Sequence, residues 1–173
     1  MEQKKRKINK KGFTLIELLA VIVIMGILML VAIPAMTRYM ENSRKDTFKN
    51  TAQQYTNAIR ELWVSDGISC GDDYSSTVPS GTYYVYVASR IGLMESGGKS
   101  PWGNKDVSGF VKIDVVVDGS KRTNTYSISL VDGIHGIKNF TEFNSLERND
   151  VKLSGADDYA TPPASDTVCR IVE

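Results

Sequence analysis

The side chains in this sequence that could do chemistry are few and scattered. Glu17 is a single carboxylate at the leading edge of a long apolar run. A charge there is costly, on the order of 2.5–3.5 kcal/mol for an acid nearer a membrane centre, so it needs a partner or a purpose. Cys70 and Cys169 are the only two cysteines, and His135 is the only histidine. Two thiols and one imidazole do not make a zinc site. His135, in Asp132-Gly133-Ile134-His135-Gly136, has no constellation of nucleophile and orienting acid around it, and it reads as a core or loop residue. Gly97-Gly98-Lys99-Ser100 ends like a phosphate loop but lacks the upstream glycine spacing. No nucleophile, base or metal cluster converges. An enzyme is therefore not expected, nor is a metal or a cofactor.

The elements that hold these residues explain more than the residues do. The chain has 173 residues, 21 Lys+Arg against 20 Asp+Glu, and a mean hydropathy of −0.20. Those averages describe neither half. From Phe13 to Met36, 20 of 24 residues are hydrophobic. Residues 1–12 carry six bases (Lys4, Lys5, Arg6, Lys7, Lys10 and Lys11) against Glu2, and the chain from Phe13 onward has 15 bases and 19 acids, a net −4. Charge so concentrated disfavours nucleic-acid binding by bulk electrostatics.

Leu18 to Thr37 is twenty residues without a formal charge. As a helix it rises about 30 Å, the hydrocarbon thickness of a bilayer, and a helix is the only conformation that satisfies an isolated span. The basic cluster before it keeps the N-terminus cytoplasmic and sends the chain beyond the span across the membrane. A cleaved secretory signal fits poorly, because its apolar region is shorter and ends in a small-residue site. Here the helical pattern continues. Tyr39, Met40, Thr47/Phe48, Thr51/Ala52, Tyr55, Ala58/Ile59 and Leu62/Trp63 recur at helical spacing, and Ser65-Asp66-Gly67 ends the helix, with Gly67 suited to a left-handed position. One helix over 13–64 is the expectation, about 78 Å long. Pro34 removes one of its backbone donors and should kink or loosen it.

Lys10-Lys11-Gly12-Phe13-Thr14-Leu15-Ile16-Glu17-Leu18-Leu19, continuing through Gly26 to Val31-Ala32-Ile33-Pro34, resembles the processing site of type IV prepilins and pseudopilins. The resemblance implies cleavage between Gly12 and Phe13 by a membrane-embedded prepilin peptidase, and N-methylation at Phe13. It also implies pairing of Glu17 with the Phe13 amine of a neighbouring subunit during filament growth. The chemistry is compatible with this. Gly12 has no side chain to keep a scissile bond from a protease. A new amine one helical turn from Glu17 would attract it strongly in a low-dielectric setting. By the same resemblance the stretch around Pro34 can melt on assembly.

The chain accordingly divides into a basic leader (1–12, removed), a transmembrane and polymerisation half of the helix (13–37), an amphipathic half (38–64) and an extracellular β-rich head (65–173). In the head, Tyr83/Val85/Val87 alternate with Tyr84/Tyr86/Ala88, Val111/Ile113/Val115/Val117 with Lys112/Asp114/Val116, and Tyr126/Ile128/Leu130 with Ser127/Ser129. These read as antiparallel strands, the last two joined through Asp118-Gly119-Ser120. Their apolar face needs a cover, which the second half of the helix supplies. The fold class is α+β, a long helix packed on a small antiparallel sheet, as in pilins. Thr141–Arg148 is the place for a short helix, and residues 156–167 form a polar loop.

On the exported side Cys70 and Cys169 either stay free or bridge. A bridge would close a loop of about 100 residues, an effect of about 4–5 kcal/mol in the chain-entropy account. Pilins often carry a disulfide toward the C-terminal end, usually around a shorter loop. Some pseudopilins hold calcium in a C-terminal loop, but Asp72-Asp73, Asp157-Asp158 and Asp166 lack EF-hand spacing and read as solvated turns. Competence pilins bind DNA. Lys105, Lys112 and Lys121-Arg122 on a net acidic head read instead as a solvated face, so nucleic acid is not expected outside such a system. Trp102, in Ser100-Pro101-Trp102-Gly103-Asn104, is expected in a turn packed on the head, the alternative being an exposed aromatic contact to another subunit.

The resemblance implies a structural subunit of a type IV pilus or pilus-like filament. It would be anchored by one span in the cytoplasmic membrane and then extruded to the cell surface. Its partners would be copies of itself, the peptidase, an assembly platform protein and an assembly ATPase. The alternatives are a pseudopilin of a type II secretion or DNA-uptake machine and, of another class, a monomeric membrane-anchored extracellular binding domain.

Overall fold

The computed structural model describes residues 12–87, 100–164 and 167–172, and the chain divides into two units, one ending at Glu41 and one running from Asn42 to Glu173. Ala88 of the first expected strand, the phosphate-loop-like Gly97 to Lys99, Asp166 and the basic residues of the leader lie outside the described residues. Both units share one helix, α1 (Leu15–Val64), which continues through Pro34. It begins two residues later than the expected Phe13.

In the first unit every described residue up to Met40 is exposed. The apolar side chains between Leu18 and Met36 thus have no cover among the described residues. In the second unit the same helix buries one stripe: Phe48, Thr51, Ala52, Tyr55, Thr56, Ile59 and Trp63. That spacing of three and four keeps them on one face and sets the helix against the sheet.

The helix stops differently from the expectation for Gly67. Asp66 is the residue in the left-handed conformation, at φ 59. Gly67 comes next and donates its N–H to the Leu62 carbonyl at 2.9 Å, six residues closing on one as in a Schellman motif. A Cβ on Gly67 would come within 2.7 Å of Leu62 Cδ2, so a side chain there would require the Leu62 side chain to shift. The Asp66 carboxylate accepts the Ser76 N–H at 2.9 Å and ties the helix end to the next loop.

Among the described residues the second unit carries nine strands: β1 (Ile68–Cys70), β2 (Asp73–Tyr74), β3 (Gly81–Val87), β4 (Ser108–Asp118), β5 (Lys121–Val131), β6 (His135–Gly136), β7 (Thr141–Glu142), β8 (Lys152–Leu153) and β9 (Thr167–Ile171). The three alternating segments are β3, β4 and β5, which pair antiparallel in that order. The β4–β5 hairpin closes through Gly119-Ser120, with Asp118 opposite Lys121 and Gly119 at φ 58. Their inner faces are Tyr83, Val85 and Val87, then Val111, Ile113 and Val115, then Tyr126, Ile128 and Leu130; all are buried in one core with the helix stripe.

The sheet order is β2-β1-β9-β3-β4-β5-β6-β8, with β7 on β5. It departs from a purely antiparallel sheet at one place, where β9 runs parallel to β3, Val85 opposite Cys169. Antiparallel partners need only a turn, but β9 reaches its slot from the far end of the chain, and a long connection permits the parallel direction. The short helix expected over Thr141–Arg148 is replaced. Thr141 and Glu142 pair with β5, and single 3-10 turns come after them at Phe143–Ser145 and Arg148–Asp150. Glu142 as N-cap of the first turn makes no side-chain capping bond, which leaves it little to grow from.

The outer face of the sheet is not bare. Tyr84 meets Phe140 with ring centroids 5.3 Å apart, and Phe110 lies between Tyr86 at 5.2 Å and Tyr159 at 5.9 Å. The Ser129 hydroxyl accepts the Ala160 N–H at 2.8 Å, so the polar loop packs over β5. This is why Ser127 and Ser129, nominally the polar face, are buried.

Candidate functional site

The N-terminal segment starts as exposed chain at Gly12 and Phe13, the latter 90% exposed, and becomes helical at Leu15. Thr14 is the residue that starts the helix. Its carbonyl accepts the Leu18 N–H, and its hydroxyl accepts the Glu17 N–H at 3.3 Å. In return the Glu17 carboxylate accepts the Thr14 N–H at 2.8 Å and the Thr14 hydroxyl at 2.9 Å. This reciprocal arrangement is a capping box. Glu17 thus has a local partner: it satisfies an orphaned donor at the helix entrance, where an anion also suits the helix dipole. The signal is present in the sequence as Thr14-Leu15-Ile16-Glu17 ahead of an apolar run, a pattern that attention to Glu17 alone passes over.

Further along, the Thr37 hydroxyl donates to the Pro34 carbonyl at 3.0 Å. The helix is long and apolar enough to cross a membrane. Gly12, Phe13, Glu17 and Pro34 therefore lie on one exposed segment of the first unit.

In the second unit Cys70 and Cys169 form a disulfide, joining β1 to β9 across 99 residues. His135 is buried in β6, and Asp132 accepts the His135 and Ile134 N–H groups at 2.7 and 3.0 Å. Asp72 sits in the exposed β1–β2 turn and Asp73 opens β2, while Asp158 pairs with Lys138. Among the described residues no three His, Cys, Asp or Glu gather as metal ligands. Arg122 is not free to read a phosphate backbone. Its guanidinium donates to the carbonyls of Ser75, Ser76 and Val78 at 2.7, 2.7 and 3.1 Å. Lys112 pairs with Asp114 at 2.8 Å. Trp102 is in a turn and 47% exposed, with the Arg44 guanidinium 5.3 Å from its ring centre.

Residues 7–33, which hold Gly12, Phe13 and the Thr14–Glu17 capping box, match the prokaryotic N-terminal methylation motif. The chain carries the N-terminal motif of the type IV prepilins. Curated relatives agree with it. The chain is 34% identical over 105 residues to the type IV major pilin protein PilE of Neisseria gonorrhoeae, covering 58% of this chain and 63% of that one. It is 35% identical over 82 residues to the fimbrial protein EcpC of Eikenella corrodens, covering 47% and 54%. It is 31% identical over 105 residues to a fimbrial protein of Neisseria meningitidis serogroup B, covering 58% and 62%. The aligned region thus spans less than two thirds of these relatives. No solved structure matches the chain significantly. With the motif in place, the long exposed apolar helix and the α+β head are the two parts expected of a pilin-like prepilin.

Proposed function

We propose that this chain is a structural subunit of a type IV pilus or pilus-like filament, made as a prepilin and polymerised through α1. The observation that carries the reading is the continuity of the methylation motif over residues 7–33 with a helix whose first half has apolar residues without cover among the described residues. Apolar area of that extent must be met by lipid or by other helices. Exchanging lipid for helix contacts changes little apolar exposure, so the segment serves both states. Its mechanism is assembly and not bond chemistry.

In this reading the peptidase cuts after Gly12 on the cytoplasmic side and Phe13 is N-methylated. The leader 1–12 is lost, 13–37 is the membrane and polymerisation segment, 38–64 carries the head, and 65–173 is displayed outside. Glu17 then exchanges its own helix N-terminus for the Phe13 amine of a neighbour, and Pro34 lets the helix loosen. Cleavage removes the peptide bond before Phe13 but leaves Thr14 in place, so the capping box keeps Glu17 oriented until that exchange. Platform protein and ATPase are the machinery such a subunit requires.

Two measurements test the reading. N-terminal mass spectrometry of sheared surface fibres is expected to find the chain beginning at methylated Phe13; an intact Met1 in fibres overturns the processing step. Glu17→Ala is expected to be cleaved and to remain in the membrane while disappearing from fibres; recovery in fibres at the wild-type level overturns the role of Glu17.

A further inference from the structure

From Phe13 onward the chain is net acidic, yet one stretch of it is basic. Residues 38–49 hold Arg38, Arg44, Lys45 and Lys49 against Glu41 and Asp46, whereas residues 50–173 hold 11 bases against 16 acids. Of the two acids in the stretch, Asp46 is already bound by Arg148. The stretch starts where the charge-free run Leu18–Thr37 ends. A bilayer carries a headgroup layer about 5–8 Å deep outside its hydrocarbon. Arg44 follows Thr37 by seven residues, about 10 Å of helix. Helical side chains lean toward the N-terminus of their helix, which draws the Arg44 guanidinium back toward that layer.

Arg44 has an aromatic neighbour. Its guanidinium lies 5.3 Å from the ring centre of Trp102, a half-exposed indole. The turn that carries Trp102 is held by its backbone. Gly103 donates its N–H to the Ser100 carbonyl at 3.2 Å, and Lys105 donates its N–H to the Asp132 carbonyl at 3.0 Å. A Cβ on Gly103 would come within 2.7 Å of the Asp132 Cβ, so this turn sits tightly on the connection that follows β5. The indole is therefore presented from a fixed place beside the cation. Among the described residues no ion pair includes Arg44.

We infer that Arg44 and Trp102 dock the head on the lipid headgroups of the membrane that α1 spans. The guanidinium meets the phosphates of anionic lipids, and the indole sits at the top of the acyl chains with its ring in apolar surroundings and its N–H toward water. Lys45, Lys49 and Arg38 add attraction to the same anionic surface. Lipid is the occupant that the chain itself selects, because headgroups surround the helix at this level whenever Leu18–Thr37 lies in a bilayer. The contact is lost when the span leaves the lipid for a filament. The inference rests on the filament reading and names what holds the head before assembly.

The test is tryptophan fluorescence of the full-length chain in vesicles of phosphatidylcholine and phosphatidylglycerol. Trp63 is 1% exposed and Trp102 is 47% exposed, so Trp102 is the indole that a quencher reaches, and Trp102→Phe measures what Trp63 contributes. Lipid brominated near the headgroup end of its acyl chains is expected to quench the Trp102 emission about twofold, and lipid brominated near the bilayer centre much less. Arg44→Gln, or vesicles without phosphatidylglycerol, are each expected to remove at least half of that quenching. Retention in carbonate-washed vesicles and formation of the Cys70–Cys169 bridge are the controls for insertion and folding. Unquenched Trp102 in a retained, bridged chain overturns the contact and leaves the filament reading standing. So does an indole shielded from acrylamide only at high subunit density, which assigns it to a second copy. Quenching unchanged both in Arg44→Gln and without phosphatidylglycerol overturns the phosphate contact. A wild-type chain that washes out of the vesicles overturns the span, and the filament reading with it.

Discussion

Arg148 and Asp46 are 102 residues apart in sequence and meet as a two-pronged ion pair, Nε to Oδ1 at 2.7 Å and Nη2 to Oδ2 at 2.6 Å. The pair ties the second 3-10 turn of the head to the amphipathic half of α1. Hydrogen bonding from Arg148 holds the Asp46 carboxyl below its ordinary value. Asp66 is also held down, first by its hydrogen bonds from Ser76, with Ser75 and the Arg122 charge adding to them. A carboxyl whose folded pKa is depressed stabilises the fold above its unfolded pKa and loses that effect as pH falls through the folded value. The window therefore lies below about pH 4. Thermal melts from pH 5 down to 2 are expected to show the wild-type melting temperature falling more steeply than that of Asp46→Asn. Parallel curves would show that this pair does not carry the acid sensitivity.

Trp63 is 1% exposed near the end of the helix stripe, with its ring 5.7 Å from Tyr83 on β3. Trp63→Ala removes a large buried side chain where helix and sheet meet, and it should cost about 3–5 kcal/mol. A urea titration is expected to show a lower midpoint at an unchanged slope. A shift of less than about 1 kcal/mol would mean that the helix is not a principal cover of the sheet.

Gly109 sits inside β4 at φ 134, and a Cβ there would overlap the Ser129 carbonyl oxygen on β5. Both the backbone angle and the space forbid a side chain. Gly109→Ala is expected to destabilise the head by about 2 kcal/mol or more, well above the small effect of a glycine-to-alanine change at a compatible strand position. Gly119→Ala, at φ 58 with open space around it, is expected to cost less. Denaturation curves of the two variants decide the order.

The bridge between Cys70 and Cys169 closes a loop with a sequence separation of 99. Chain entropy assigns such a loop about 4–5 kcal/mol, and removal of a native bridge from a small domain commonly costs about 2–5. Cys70→Ser with Cys169→Ser is expected to fall in that range. Hydrogen exchange should rise first in β9 and β1 and last in the β4–β5 ladder, because only the former pair loses its covalent tie. Uniform acceleration across the sheet would show that the bridge stabilises the head as a whole.

The helix, its buried stripe and β3–β5 were legible because each buries one face and writes its period into the sequence. The short strands were not. β1, β2, β6, β7 and β8 have two or three residues each, too few for alternation to register, and their pairing is decided by neighbours distant in sequence. Thr167–Ile171 does alternate in part, but its slot between β1 and β3 depends on the disulfide and on register, which no local pattern specifies. At the N-terminus the motif was plain and the capping partner of Glu17 was equally readable in Thr14.

β9 comes after every other strand in chain order yet lies in the interior of the sheet, between β1 and β3. A polypeptide that emerges N-terminus first can build the β1–β2 hairpin and the β3–β4–β5 meander early, but these stay two separate pieces until residues 167–172 arrive. Two strand edges must wait open through that interval, and Cys70 waits for a thiol 99 positions behind it. The sheet is therefore joined last, once residues 167–172 exist, and the Cys70–Cys169 bridge locks the two pieces together at that seam.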